Sequence, residues 1–218
     1  MSFSVRERVL GCVVLLWAAT GLLPGRSAGA QSATEILDNV REAYDAIADA
    51  RIQFTQTTTF GLSNIENSVH GTLFFKKKNK YRLELKEQTI VTDGSTVWRY
   101  SPVQQQVLID HFRSDRHAIT PEKILTGSPE GFTATRLDPG GEGERVVVRL
   151  VPTDETASVR SIKLWVDPAT WLIRKVELLD VNDARTTYIV REFALNPGLP
   201  DAQFAYQIPP GASVVDLR

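Results

Sequence analysis

The chain contains 218 residues, which is enough for one domain with a sizeable hydrophobic core. Its 25 lysines and arginines nearly balance 26 aspartates and glutamates. This balance argues against nucleic acid as the main partner, because phosphate binding requires clustered positive charge.

The first thirty residues have the pattern of an export signal. A basic start precedes the apolar segment Val9–Ala19, and Ala28-Gly29-Ala30 forms a small-x-small cleavage pattern. We expect cleavage after Ala30, which also removes Cys12 and leaves no thiol for a disulfide or a metal site. The alternative is an uncleaved anchor, for which the apolar segment is short. Cleavage removes three arginines and one glutamate, so residues 31–218 carry 22 basic and 25 acidic side chains and a net charge of −3.

An amphipathic helix is predicted at the start of the mature chain, which we expect to form a single domain over residues 31–218. Ser32-Ala33-Thr34-Glu35 has the capping-box pattern that opens a helix. Apolar side chains follow at spacings of four, four and three residues, and they form one stripe: Ile36, Val40, Tyr44 and Ile47. The pattern then changes to strict alternation, which predicts that the first strand begins near residue 51.

The clearest sheet signal is Gly71–Val107, which predicts four successive antiparallel strands. Tyr81, Leu83 and Leu85 alternate with charged residues, as expected for a strand with one apolar face and one wet face. Between the first two strands lies the basic turn Lys76–Lys80. It is either a solvated turn or a source of one side chain that reaches across the mouth of the sheet.

Asp93-Gly94 is a strong hairpin signal within this stretch. It predicts a two-residue type I′ turn, in which both central residues have positive φ. In such a turn residues 92 and 95 pair, so Ile90 and Val97 are expected to share one face of the sheet.

The second half of the chain is predicted to contain one short helix and four more strands. Thr120–Gly127 has the signals of a two-turn helix, and its apolar Ile124 and Leu125 make it a candidate lid. Pro129–Glu144 is rich in glycine, aspartate and proline and is interpreted as a loop. The strands are expected over Arg145–Val151, Ser161–Val166, Leu172–Leu179 and Thr186–Phe193. In the proline-rich tail, Phe204, Tyr206 and Ile208 are expected to alternate inward.

No catalytic motif stands out, and we therefore expect a protein that is not an enzyme and uses no cofactor. The three histidines have no partner at a metal-ligand spacing, and no nucleophile elbow or phosphate-binding loop occurs. The regular strand spacing favours a strongly curved sheet or a barrel. Several strands are apolar on both faces, which fits either a cavity for a hydrophobic ligand or a filled core.

Seven segments, in order along the chain, carry a family resemblance. They are Gly71–Phe75, Asn79–Arg82, Thr92–Tyr100, Gln104–Val107, Thr120–Leu125, Leu199–Phe204 and Pro209–Asp216. Together they resemble the LolA family of periplasmic outer-membrane lipoprotein carriers. The resemblance implies a mainly β chain with a few helices (α+β). The implied fold is an incomplete, strongly curved antiparallel half-barrel, covered by an N-terminal helix and short lid helices.

The resemblance also implies a function. A soluble, monomeric periplasmic carrier would take the acyl chains of lipoproteins into an apolar cavity. It would receive them from an ATP-driven inner-membrane transporter and pass them to an outer-membrane receptor lipoprotein. The residues expected to line the cavity are Phe54, Tyr81, Leu83, Leu85, Ile90, Val97, Trp98 and Tyr100.

The resemblance further assigns a role to the basic turn. In the family an arginine at this place holds the lid closed by hydrogen bonds to helix backbone. Lys77 occupies the matching position here, so Lys77 is the candidate latch for Ile124 and Leu125. Lysine can donate hydrogen bonds but lacks the planar fork of arginine.

Two other functions are compatible with the same fold. One is a lipid- or lipoprotein-binding sensor that regulates the envelope stress response. The other is the receptor lipoprotein of the same pathway, which requires an acylated cysteine at the mature N-terminus.

Overall fold

The computed structural model describes residues 31–61, 65–112, 131–137 and 145–218. The expected export signal and the candidate lid, with Ile124 and Leu125, lie outside these residues.

Helix α1 spans Ala33–Asp45 and begins with the predicted capping box. The Ser32 backbone N–H donates to Glu35 Oε2 at 2.7 Å, and this hydrogen bond is the main cause that lowers the pKa of Glu35. The buried residues of α1 are Ile36, Leu37, Val40 and Tyr44.

Twelve strands make up most of the described chain. They are β1 (Asp49–Phe60), β2 (Ile65–Lys76), β3 (Lys80–Leu85), β4 (Gln88–Asp93), β5 (Thr96–Ser101), β6 (Gln106–His111), β7 (Phe132–Leu137), β8 (Val146–Pro152), β9 (Val159–Val166), β10 (Ile173–Asp180), β11 (Arg185–Leu195) and β12 (Ser213–Asp216). A short 3₁₀ helix, Asp201–Phe204, lies between the last two strands.

All twelve strands belong to one sheet. Its order is β12-β6-β5-β4-β3-β2-β1-β11-β10-β9-β8-β7, so β12 and β7 form its two edges. Every neighbouring pair is antiparallel except β12 and β6, which are parallel. The sheet is curved and does not close into a barrel, which confirms the expected open, mainly β architecture.

Two local predictions were wrong. Strand β7 lies inside the segment that was interpreted as a loop, although the alternation of Phe132 and Ala134 with threonines was a usable signal for it. The hairpin between β4 and β5 turns at Gly94 and Ser95, because Thr92 pairs with Val97. Only Gly94 has a positive φ there, at 96°, so the turn is not type I′.

The hydrophobic core lies between α1 and one face of the sheet, which we call the inner face. Helix α1 contacts β7 and β8, and its apolar stripe joins one buried cluster with side chains from β1, β2 and β8 to β10. Val148, Leu164 and Ile173 are among its most buried members. The stripe predicted for α1 therefore packs across the sheet, except that Ile47, although buried in the same core, lies beyond the end of the helix at Asp45.

The opposite, outer face carries a second apolar cluster, which consists of Val91, Trp98, Tyr100, Val107, Ile109, Phe204 and Tyr206. Residues 196–216, which we call the C-terminal strap, end in the edge strand β12, and the part of the strap before β12 supplies Phe204 and Tyr206 to this cluster. The 3₁₀ helix contacts β3 and β4, and Phe204 is fully buried. Tyr206 stacks on Trp98 with ring centroids 6.4 Å apart. Ile208 is 44% exposed, so the expected inward alternation of the tail ends at Tyr206.

Polar contacts hold the strap to the sheet at its first residues. Asp49 accepts hydrogen bonds from the backbone N–H groups of Asn196 and Gly198, at 2.8 and 2.9 Å. Lys76 Nζ and Lys80 Nζ donate to the two carboxylate oxygens of Asp201, at 2.7 and 3.0 Å. Two lysines of the basic turn are thus structural contacts of the strap.

The contact at Asp201 predicts a pH dependence of stability. Hydrogen bonds from Lys76 and Lys80 lower the pKa of Asp201 from 3.8 to about 2. A carboxylate whose pKa is lowered by folding stabilises the protein above its unfolded pKa, and the contribution disappears as the pH falls through the folded value. Asp201→Asn is therefore expected to be less stable than the wild type near neutral pH. Urea denaturation should show this difference shrinking between about pH 4 and about pH 2.

Asp38→Asn is the matched control for this prediction. Asp38 forms an exposed ion pair with Arg41 on α1, and its loss is expected to change the free energy of unfolding by less than about 0.5 kcal/mol. A stability difference between Asp201→Asn and the wild type that stays constant down to about pH 2 would contradict the prediction.

Candidate ligand-binding face

The inner face of β1 to β6 is organised in cross-strand rows. The middle row joins Ile52 of β1 to Leu73, Leu83, Ile90, Arg99 and Leu108, one residue per strand. Ile52 and Leu73 are buried, whereas Leu83 and Ile90 are only half-buried. The row thus leads from the core beneath α1 towards a more accessible part of the sheet.

Six of the eight residues expected to line the cavity lie on this inner face. Phe54 is buried in β1, and Tyr81, Leu83 and Leu85 of β3 pack as half-buried side chains against the core. Ile90 and Val97 also share the inner face, as predicted. The prediction is correct although the turn differs. Thr92 pairs with residue 97 instead of residue 95, and a shift of two residues leaves every side chain on the same face of the sheet.

Trp98 and Tyr100 do not belong to the same surface as the other six residues. They flank the inward-facing Arg99, so strand alternation places them on the outer face. Both aromatic rings lie near Tyr206 of the strap, at centroid distances of 6.4 Å. The expectation that all eight residues form one lining is therefore wrong for these two.

Gly71 makes room for an aromatic ring on the inner face. A Cβ at this position would lie 2.8 Å from Phe54 Cε2 and 2.7 Å from Leu85 Cδ2. The Phe54 ring therefore lies across the Gly71 backbone, and it also contacts Tyr188, with ring centroids 5.8 Å apart. Burial raises the pKa of the Tyr188 hydroxyl. This packing was missed from the sequence because Phe54 and Gly71 are paired only by the strand register.

Lys77 donates a hydrogen bond to the backbone of a helix, but this helix is α1 and not the candidate lid. Its Nζ donates to the backbone oxygen of Asp45 at 2.6 Å, at the C-terminal end of that helix. A cation at this end also interacts favourably with the helix dipole. The proposed lid residues Ile124 and Leu125 lie outside the described residues, so the latch between Lys77 and the lid stays a prediction.

Polar side chains border the apolar part of the inner face at β4 to β6. Gln88, Ser101 and Gln106 form the continuation of the row that begins with Phe54, Gly71 and Leu85. Within the described parts of the chain, no group of three histidine, cysteine, aspartate or glutamate side chains is arranged to hold a metal ion. None of the helices described there is both long enough and apolar enough to cross a membrane. The inner face thus offers an apolar surface with a polar margin.

Comparison with protein families decides the family. Residues 46–207 match the model of the outer membrane lipoprotein carrier protein LolA. The chain belongs to the LolA family. The match runs from the end of α1 to the strap residue after Tyr206, so both the inner face and the outer cluster lie within the LolA region.

Individual relatives agree with the LolA assignment. The outer-membrane lipoprotein carrier protein of Haemophilus influenzae is 27% identical over 173 residues, covering 76% of this chain and 80% of the relative. That of Methylibium petroleiphilum is 28% identical over 194 residues, covering 87% and 93%. An uncharacterised conserved protein from Thermus thermophilus has a similar fold, with a TM-score of 0.52 and 17% identity over 84% of this chain and 98% of that one.

Proposed function

We propose that this chain is a periplasmic carrier that binds the acyl chains of lipoproteins on its inner face. Membership of a family of lipoprotein carriers supports this function, as do the carrier names of the relatives. The observation that carries the proposal is the apolar inner face beyond α1. There Tyr81, Leu83 and Leu85 pack at the border of the core and remain half-buried, and so does Ile90 on the next strand.

The energetics of acyl-chain burial support a non-covalent carrier. Each methylene group removed from water contributes about 0.8 kcal/mol, so a long chain binds without a covalent step. A carrier must also release its cargo, which favours a binding surface that opens at low cost.

In the proposed cycle, an ATP-driven inner-membrane transporter loads the carrier and an outer-membrane receptor lipoprotein unloads it. Export through the N-terminal signal would place the carrier in the periplasm. Mass spectrometry of the periplasmic protein should therefore give a mature chain that begins at Gln31 without an acyl modification. An acylated N-terminus would contradict the proposal, because an acylated protein would be anchored to a membrane.

A binding measurement with a synthetic diacylated lipopeptide tests the site. Ile90→Asn places an uncharged polar amide in the apolar middle row, and burying that amide against acyl chains without a hydrogen-bond partner is unfavourable. We expect the variant to bind the lipopeptide at least about tenfold more weakly than the wild type in isothermal titration.

Thr135→Asn is the matched control for Ile90→Asn. Thr135 is exposed on the outer face of β7, so an added amide remains in water there. Its lipopeptide affinity is expected to equal that of the wild type. If the wild-type protein bound no acylated peptide, the carrier function would be overturned. If the two variants bound the lipopeptide equally well, the acyl-chain site would not include the middle row.

A further inference from the structure

An arginine interrupts the apolar middle row of the inner face. Arg99 pairs with Ile90 on β4 and with Leu108 on β6, and these neighbours project from the same face. Its side chain is exposed, and within the described residues it makes no hydrogen bond or ion pair. A cation thus lies within an apolar row, between Ile90 and Leu108, and has no hydrogen-bond or ion-pair partner among the described residues.

The charged residues on nearby strands do not form an ion pair with Arg99. On β3, two strands away from Arg99, Arg82 is paired with Glu84 at 2.6 Å on the outer face. The acidic residue nearest to Arg99 in the inner-face register is Asp110, opposite Val97. Asp110 Oδ1 accepts a hydrogen bond from the backbone N–H of His111, and no ion pair joins it to Arg99. The guanidinium is therefore available for an external anion.

The surroundings of Arg99 are arranged like an amphiphile. On one side, burial increases along the row from Ile90 through Leu83 to Leu73, which is 6% exposed. From β5 to β2 the row covers about 14 Å, given the usual spacing of neighbouring strands. On the other side the row continues with the half-buried Leu108, and Ser101 and Gln106 supply polar groups in the next row of the same face. An acyl chain lying along the row would place its polar end beside the arginine.

We propose that Arg99 binds the anionic headgroup of an acyl-chain ligand, either a carboxylate or a phosphate. This inference rests on the proposed function and names a chemical preference of the same site. The guanidinium fork binds both kinds of anion in bidentate geometry, and the apolar row binds the attached chain. The inner face therefore selects acidic amphiphiles over neutral ones of the same chain length.

The test compares dansyl-labelled undecanoic acid with its methyl ester by fluorescence titration of the full mature chain. The two probes share the chain and differ only in the anionic head. Wild-type protein should bind the acid about three- to fivefold more tightly than the ester, the range of an exposed ion pair. Arg99→Gln should lose that preference while keeping its affinity for the ester, and Arg99→Lys should retain most of it. Added salt should weaken only the binding of the acid.

Arg149→Gln is the matched control, because it removes the same charge from the exposed outer face of β8. It should keep the wild-type preference for the acid. Equal wild-type affinity for both probes, or a loss of preference as large in Arg149→Gln as in Arg99→Gln, would overturn the headgroup site and leave the carrier function intact. If the wild type bound neither of the two probes nor the lipopeptide, both the headgroup site and the carrier function would be overturned. The same comparison with lysophosphatidic acid and monoacylglycerol measures the preference for a phosphate head. The larger of the two preferences shows whether phosphate or carboxylate is the preferred head.

Discussion

Phe204→Ala is expected to destabilise the protein by about 3–5 kcal/mol, the usual cost of removing a fully buried phenylalanine ring. Phe204 is 1% exposed and belongs to the 3₁₀ helix that contacts β3 and β4 on the outer face. Its loss leaves a cavity between the 3₁₀ helix and strands β3 and β4 and weakens the apolar cluster of the outer face. Urea denaturation monitored by tryptophan fluorescence measures the change in the free energy of unfolding.

Ile208→Ala provides the comparison within the same strap. Ile208 is 44% exposed, so its truncation should change stability by no more than about 0.5 kcal/mol. Similar effects of the two substitutions would contradict the view that the strap is held by one buried ring and by the lysine contacts of Asp201. Acyl-probe binding should remain in both variants under conditions where they are folded, because the inner face is on the other side of the sheet.

Gly71→Val is expected to destabilise the protein by about 1–3 kcal/mol through overpacking. In a strand, valine is ordinarily favoured over glycine, both by β propensity and by the lower entropy of the unfolded chain. The expected sign is reversed here because the Phe54 ring and the Leu85 methyl group occupy the space of the new side chain. Thermal and urea denaturation of the variant measure the effect, and titration with an acyl probe shows whether displacement of Phe54 also weakens binding.

A double-mutant cycle with Phe54→Ala isolates this contact. Without the ring, the valine at residue 71 has room, so its penalty should fall by at least about 0.5 kcal/mol. An equal penalty in both backgrounds would show that the ring does not restrict this position. The cycle also reports on function, since Phe54 lies on the face proposed to bind acyl chains.

The aromatic residues of β5 illustrate where sequence reasoning succeeded and where it failed. Val97, Trp98 and Tyr100 form a run that is apolar on both faces of the strand, so alternation separates their sides without identifying which side is the inner one. The pairing of Thr92 with Val97 makes that decision. Trp98 and Tyr100 then face Tyr206, more than 100 residues later in the chain, and no local pattern could indicate that contact.

The basic turn gives the same lesson for charged residues. Its composition predicted a turn correctly, and Lys78 and Asn79 both adopt positive φ there. The partners of its lysines come from distant segments: Lys77 binds the end of α1, and Lys76 binds Asp201 of the strap. A run of lysines that resembled a solvated turn is therefore a junction between the helix, the sheet and the strap.

The sequence by itself determined the helix with its capping box, most of the strands, the presence of a hairpin near Gly94 and the resemblance to the LolA family. These features depend on periodicity and local hydrogen bonding, which are encoded within a few residues. Only the tertiary structure decided which side of Gly71–Val107 is the inner face, that Arg99 lies on it, and that the strap supplies Phe204 and Tyr206 to the other side. Those outcomes depend on strand register and on contacts between segments far apart in the chain, and a shift of one residue would have reversed every side chain.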